Sequence, residues 1–151
     1  MLNVYLAYGS NMEPSVMRRH CPRAIFMCQA RLPAHRFSIN RDGYASVRQD
    51  DSAVVHGVLW NVQACEARAL DAYEECHAGL YRTCGASAVT PAGTRMDVFL
   101  YQACDARTGI PEHCYLGGLL FAAELHGFPP GYTAEIRTWL PRQRSGGRYV
   151  T

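Results

Sequence analysis

The chain has 151 residues, 48% of them hydrophobic and 19% charged, with a formal net charge of +2. That length and balance suit one folded domain burying roughly two thirds of its unfolded surface, and they exclude a disordered or collagen-like chain. All fifteen basic residues are arginine, which excludes lysine Schiff-base chemistry and a P-loop lysine. The arginines are scattered, apart from Arg18-Arg19 and the Arg142, Arg144 and Arg148 group, so the dense basic stripe of a nucleic-acid surface is missing.

In chain order, residues 3–8 read as a strand and 11–20 as a short helix closed by Cys21-Pro22. Residues 24–27 and 31–40 read as extended, with a turn at Asp42-Gly43 and a short strand over 44–48. A polar turn is expected at Gln49-Asp50-Asp51-Ser52. The near-continuous apolar run Val54–Val62 predicts a buried strand, and 63–75 shows helical spacing through Ala67, Leu70 and Tyr73/Glu74. Strands follow at 81–89 and 96–103, split by the turn Pro91-Ala92-Gly93. A helix over 112–126 ends at Gly127, and a last one over 133–140 stops at Pro141. Strands outnumber helices without regular interleaving, so the fold class is α+β. One domain is expected over 1–140, with a loose basic tail over 141–151.

The apolar run Val4-Tyr5-Leu6-Ala7 stops at Tyr8-Gly9-Ser10-Asn11-Met12, followed by Glu13-Pro14. Ser10-x-x-Glu13 has the form of a capping box, and Pro14 suits a first helical turn. A strand-to-helix turn of this kind points free N–H groups at one spot, which is a site for a carboxylate or phosphate. Glycine turns of this composition also occur with no ligand.

The second chemical feature is Leu70-Asp71-Ala72-Tyr73-Glu74-Glu75. Glu74 shares a helix face with Leu70 and Ala67, which otherwise points inward. Burying its charge is costly and raises its pKa, and the negative end of the helix dipole pushes it further. A carboxyl base working near neutral pH needs that shift. Three carboxylates in five residues also fit a solvated acidic face. The six histidines lack H-x-x-x-H or H-E-x-x-H spacing, so no metal site is expected. His56, Cys76, Trp60 and Trp139 read as packed side chains. The seven cysteines form no C-x-x-C pair, and the opening residues show no signal-peptide pattern. Reduced thiols in the cytoplasm are therefore expected. No apolar run approaches the roughly 20 residues of a membrane span.

Taken together these segments resemble the γ-glutamylcyclotransferase family. Tyr5 to Met12 is similar to its F/Y-x-Y-G-S-N-L/M loop, and Ala30-Arg31-Leu32 with Arg36-Phe37 resembles its second strand region. Ala45-Ser46-Val47 and His56-Gly57-Val58-Leu59-Trp60 resemble its next two strands. Leu70-Asp71-Ala72-Tyr73-Glu74 resembles the segment holding its catalytic glutamate, with Gly79-Leu80-Tyr81 in step behind it. Tyr115 matches a pocket tyrosine. Glu75 stands where the family has glycine, and Glu74 keeps the spacing to Leu70-Asp71.

The resemblance implies a small mixed β-barrel flanked by helices. It implies release of 5-oxoproline and a free amine from a γ-glutamyl amide, with Glu74 as general acid and base. Tyr5, Leu6, Ala7, Tyr8, Gly9, Ser10, Asn11 and Tyr115 would bind the substrate. It implies no cofactor and no metal, a small-molecule partner only, and a monomer or homodimer. The alternative is a non-catalytic carboxylate-binding domain on the same scaffold.

Overall fold

The computed structural model describes residues 3–74 and 76–141; the tail expected over 141–151 lies outside them from residue 142 onward. Strand β1 (Val4–Ala7) leads through a 3-10 turn (Ser10–Met12) into α1 (Pro14–His20). Two long strands follow, β2 (Ile25–Ile39) and β3 (Ala45–Asn61), then α2 (Ala64–Tyr73), β4 (Tyr81–Val89) and β5 (Arg95–Ala103). The helices α3 (His113–Leu125) and α4 (Pro130–Arg137) come last. The strands close a barrel in the order β1-β3-β2-β4-β5. Every pairing is antiparallel except the seam, where β1 runs parallel to β5 with Tyr5 opposite Phe99. Closure gives every strand a neighbour on both sides. No helix among the described residues is long and apolar enough to cross a membrane.

The barrel is filled by side chains such as Leu6, Phe37, Val55, Leu59 and Leu100, all at most 2% exposed. α3 covers it with Leu116, Leu119, Ala122 and Ala123. At Gly127 (φ +67°) the chain turns left-handed, and Phe128 N–H reaches back to Ala123 O at 3.0 Å. Pro129 follows and Pro130 opens α4. α4 therefore begins three residues before the expected start, because proline fits a first helical turn.

Two local expectations change. The segments expected as four short strands are two long ones. The polar residues Asp50-Asp51-Ser52 do not turn the chain. Between the pairs Pro33↔Val54 and His35↔Gln49, β3 inserts four residues opposite the single Ala34 of β2. Ala34 takes φ 59° to absorb the mismatch. The bulge is fastened from outside: Arg36 bonds Asp50 at 2.7 Å and Glu135 of α4 at 3.0 Å. The expected Ser10–Glu13 capping box is also absent. Glu13 is itself the N-cap of α1, accepting from Val16 N–H at 3.1 Å, so the helix starts at Pro14. The reciprocal box forms instead at α2, between Gln63 and Glu66.

Gly57 sets how closely β1 lies on β3 near the start of the Tyr8–Met12 segment. A Cβ there would fall 2.5 Å from Ala7 O and 2.9 Å from Leu6 Cδ1. Backbone cannot yield as a flexible side chain would, so Gly57→Ala should destabilise the protein by about 1–3 kcal/mol. Urea unfolding measures it; a loss under about 0.5 kcal/mol would mean that β1 has slack against β3.

Candidate active site

At one mouth of the barrel lies a cavity of about 360 Å³. The segment after β1 supplies one wall. With Met12 N–H bonded to Gly9 O and Glu13 N–H to Ser10 O, the turn leaves its leading N–H groups, those of Ser10 and Asn11, without carbonyls inside the turn. The turn is pinned from behind. Trp60 Nε1–H donates to Asn11 O at 3.0 Å, and His126 Nε2 donates to Met12 O at 3.0 Å. Trp60, expected as plain packing, thus also holds this backbone in place.

Glu74 caps the C-terminus of α2, its N–H bonded to Leu70 O at 2.8 Å. Leu70, one turn earlier, is fully buried, so the face it shares with Glu74 is directed inward. The Glu74 carboxylate reaches the cavity half-buried, with no side-chain bond or ion pair to another described residue. Burial pushes its pKa up from 4.5 to about 7.

The cavity brings together Tyr5, Tyr8, Gly9, Ser10, Asn11, Glu74 and Tyr115 of the residues singled out in the sequence. Leu6 and Ala7 do not line it, which corrects that expectation. They pair with Leu59 and Val58 in the barrel ladder and are buried in the core. Glu75 lies outside the described residues.

Sequence reasoning missed Tyr44, Ala45, Tyr73, Tyr81 and Tyr101, all of which line the cavity. Seven of the chain's nine tyrosines therefore face it. The hydroxyls of five of them divide into two groups. Tyr8 donates to Tyr101 O, Tyr101 to Asp71 Oδ1 at 2.6 Å, and Tyr81 to Ala45 O at 3.0 Å. Tyr5 and Tyr115 instead accept, from Asn11 Nδ2 at 3.2 Å and from Ala45 N–H at 2.9 Å. Among the described residues nothing takes their protons, so both hydroxyls remain available as donors. Burial, and less strongly the Glu74 charge, raises the pKa of both phenols, so they stay neutral. Asn11 Oδ1 is buried with no partner among the described residues, an acceptor a bound N–H could satisfy.

The β2–β3 turn is tied to the same wall. Asn40 Oδ1 accepts from Asp42 N–H and Tyr44 N–H, both at 2.9 Å, and its Nδ2 donates to Tyr81 at 2.9 Å. Gly43 (φ +90°) makes the turn. The cavity thus offers amide donors, two free phenolic donors, one unpaired acceptor and one carboxyl group poised near neutrality.

The cavity carboxylate carries a cost that pH reveals. Because the folded protein holds the Glu74 proton up to about pH 7 while the ordinary value is 4.5, the folded state binds more protons between those values. Its stability falls as pH rises through that window. Glu74→Gln removes the charge, so urea unfolding should find it more stable than the parent by about 1–3 kcal/mol at pH 8, after allowance for partial exposure. That gain should shrink towards pH 4.5, and a pH-independent difference would contradict the buried-charge reading.

A sequence profile described as the AIG2-like family matches residues 54–136. Human γ-glutamylcyclotransferase is 24% identical over 95% of this chain and 81% of its own length, and the mouse protein gives the same figures. Among solved structures, a γ-glutamyl cyclotransferase superposes with a TM-score of 0.85 at 24% identity, covering 95% of this chain and 90% of that one. YkqA from Bacillus subtilis gives 0.77 at 21% identity, over 93% of this chain and 55% of its own. The barrel with its flanking helices is therefore the γ-glutamylcyclotransferase fold, and the chain belongs to the AIG2-like family.

Proposed function

We propose that the protein is a γ-glutamylcyclotransferase, converting a γ-glutamyl amide to 5-oxoproline and a free amine. The observation that carries this reading is the Glu74 carboxyl group, without a partner among the described residues and raised to about 7, in one cavity with the Gly9-Ser10-Asn11 backbone. Such a substrate contains its own nucleophile. Its α-amine, once deprotonated, closes a five-membered ring on the γ-carbonyl, and holding that conformer is worth effective molarities on the order of 10⁵–10⁸ M. The protein then needs only to fold the glutamyl group, move protons and stabilise an oxyanion.

In this reading the free N–H groups of the Ser10-Asn11 turn bind the α-carboxylate, and the buried Asn11 Oδ1 accepts from the α-amine. Glu74 as carboxylate takes a proton from the α-ammonium. The freed nitrogen attacks the γ-carbon, forming the ring C–N bond, and the negative charge passes to the carbonyl oxygen, where Tyr5 or Tyr115 donates. Protonated Glu74 gives its proton to the leaving nitrogen as the original amide C–N bond breaks. The ring nitrogen releases its extra proton, and the amine departs protonated. One carboxyl group with a pKa near the working pH performs both transfers.

Two measurements test this. Release of 5-oxoproline from γ-glutamyl amides should be detectable by chromatography, and Glu74→Gln should lower turnover about 10²–10⁴-fold. Near-parental turnover in that variant would refute the role, and tight 5-oxoproline binding without any turnover would favour a non-catalytic binder. Since the base must be ionised in the free protein, kcat/KM should rise with pH to a plateau above about pH 7. A rise centred near 4.5 would assign the base elsewhere.

A further inference from the structure

The group that leaves must extend from the cavity towards solvent. Of the side chains lining the cavity only Tyr44 and Tyr73 are exposed, at 54% and 45%, so these two rings mark its opening. Each is held by an aromatic neighbour. Tyr44, in the β2–β3 turn, stands edge-on to Tyr115 with centroids 5.4 Å apart at 85°. Tyr73, the last residue of α2, lies over His20 of α1 with centroids 3.8 Å apart. Neither ring belongs to the buried core. Large aromatic faces held in place and left in water form a ready surface for an apolar group.

The charge around the opening is as informative. No arginine, lysine or histidine lines the cavity among the described residues, and its one ionisable carboxyl group is that of Glu74. Arg41 lines a separate recess and stands 3.8 Å from Asp105, with Asp42 in the same recess. An amino acid leaving group would bring its own carboxylate within a few bonds of the scissile nitrogen. It would enter a partly desolvated space with no cation among its described lining residues and a carboxylate already present.

Resting on the cyclotransferase reading above, we propose that Tyr44 and Tyr73 form the leaving-group subsite and select γ-glutamyl amides of apolar or aromatic amines over γ-glutamyl amino acids. The γ-glutamyl end is read by the backbone turn, Asn11 and Glu74. The two rings read the other end by apolar contact and reject a second negative charge.

The test compares γ-glutamylphenethylamide, γ-glutamylmethylamide and γ-glutamylalanine as substrates of the full chain, following 5-oxoproline. The phenethylamide should exceed the alanine compound in kcat/KM by about tenfold or more. Tyr44→Ala and Tyr73→Ala should each lower the phenethylamide-to-methylamide ratio of kcat/KM by about tenfold, mainly through KM. Using that ratio cancels any general loss from altered folding. Equal or better use of γ-glutamylalanine, or ratios unchanged in both variants, overturns the subsite while leaving the cyclotransferase reading intact. Release from none of the three overturns that reading, and the subsite with it.

Discussion

A carboxylate withdrawn from water without a cation beside it is unstable unless its surroundings compensate, and Glu74, with no cation beside it among the described residues, stands in that position at the end of α2. Burial alone raises it to about 7. Neighbouring phenols are pushed the same way, away from ionisation, by burial and less strongly by the Glu74 charge. The cavity is therefore a set of neutral donors around a single group that can change its charge near pH 7. An arginine in that wall would hold the carboxyl group in its ionised form and lower its pKa. The absence of basic side chains from the described lining and the raised pKa are two views of one electrostatic arrangement.

The barrel fixes the distance between that carboxyl group and the backbone turn after β1. β1 is short, yet it is locked on both sides, antiparallel to β3 and parallel to β5. Gly57 allows β3 to approach Ala7 closely. The turn itself is fastened by Trp60 from β3 and His126 from the end of α3. On the opposite wall Asp71, one turn before Glu74, accepts from Tyr101 at 2.6 Å and Thr83 at 3.3 Å, joining α2 to β5 and β4. Donors and carboxyl group thus stand on separate rigid elements braced to the same sheet, which is what preorganised transition-state stabilisation requires.

Much of this was legible in the residues. Val54–Val62 reads as a buried strand, and the glycine-bearing segment after the first strand reads as a turn leading into a helix. Glu74 announces itself by occupying a position where Leu70 and Ala67 predict an apolar side chain. What the sequence hides is tertiary. The polar stretch Asp50–Ser52 has turn composition, but Arg36 and Glu135 convert it to a bulge, and Glu135 is far away in the chain. Alternation in β4 and β5 shows that Tyr81 and Tyr101 sit on definite faces, yet not that the enclosed space is a cavity rather than packed core. The Ser10-x-x-Glu13 pattern reads as a capping box with Ser10 as the cap, whereas in the fold Glu13 is the N-cap and Pro14 the first helical residue. An unusual tyrosine content, together with Tyr81 following the recognisable Gly79-Leu80, was the one available signal for the wider aromatic lining.

The claim beneath these chemical steps is that the Glu74 carboxyl group holds its proton to near neutral pH. Carbon-13 NMR of side-chain carboxyl groups in glutamate-labelled full-length protein, with Glu74→Gln identifying the resonance, measures that titration at the atom concerned. A midpoint near 7 is expected. A midpoint near 4.5 would show a water-exposed carboxylate, and proton shuttling by Glu74 would be contradicted.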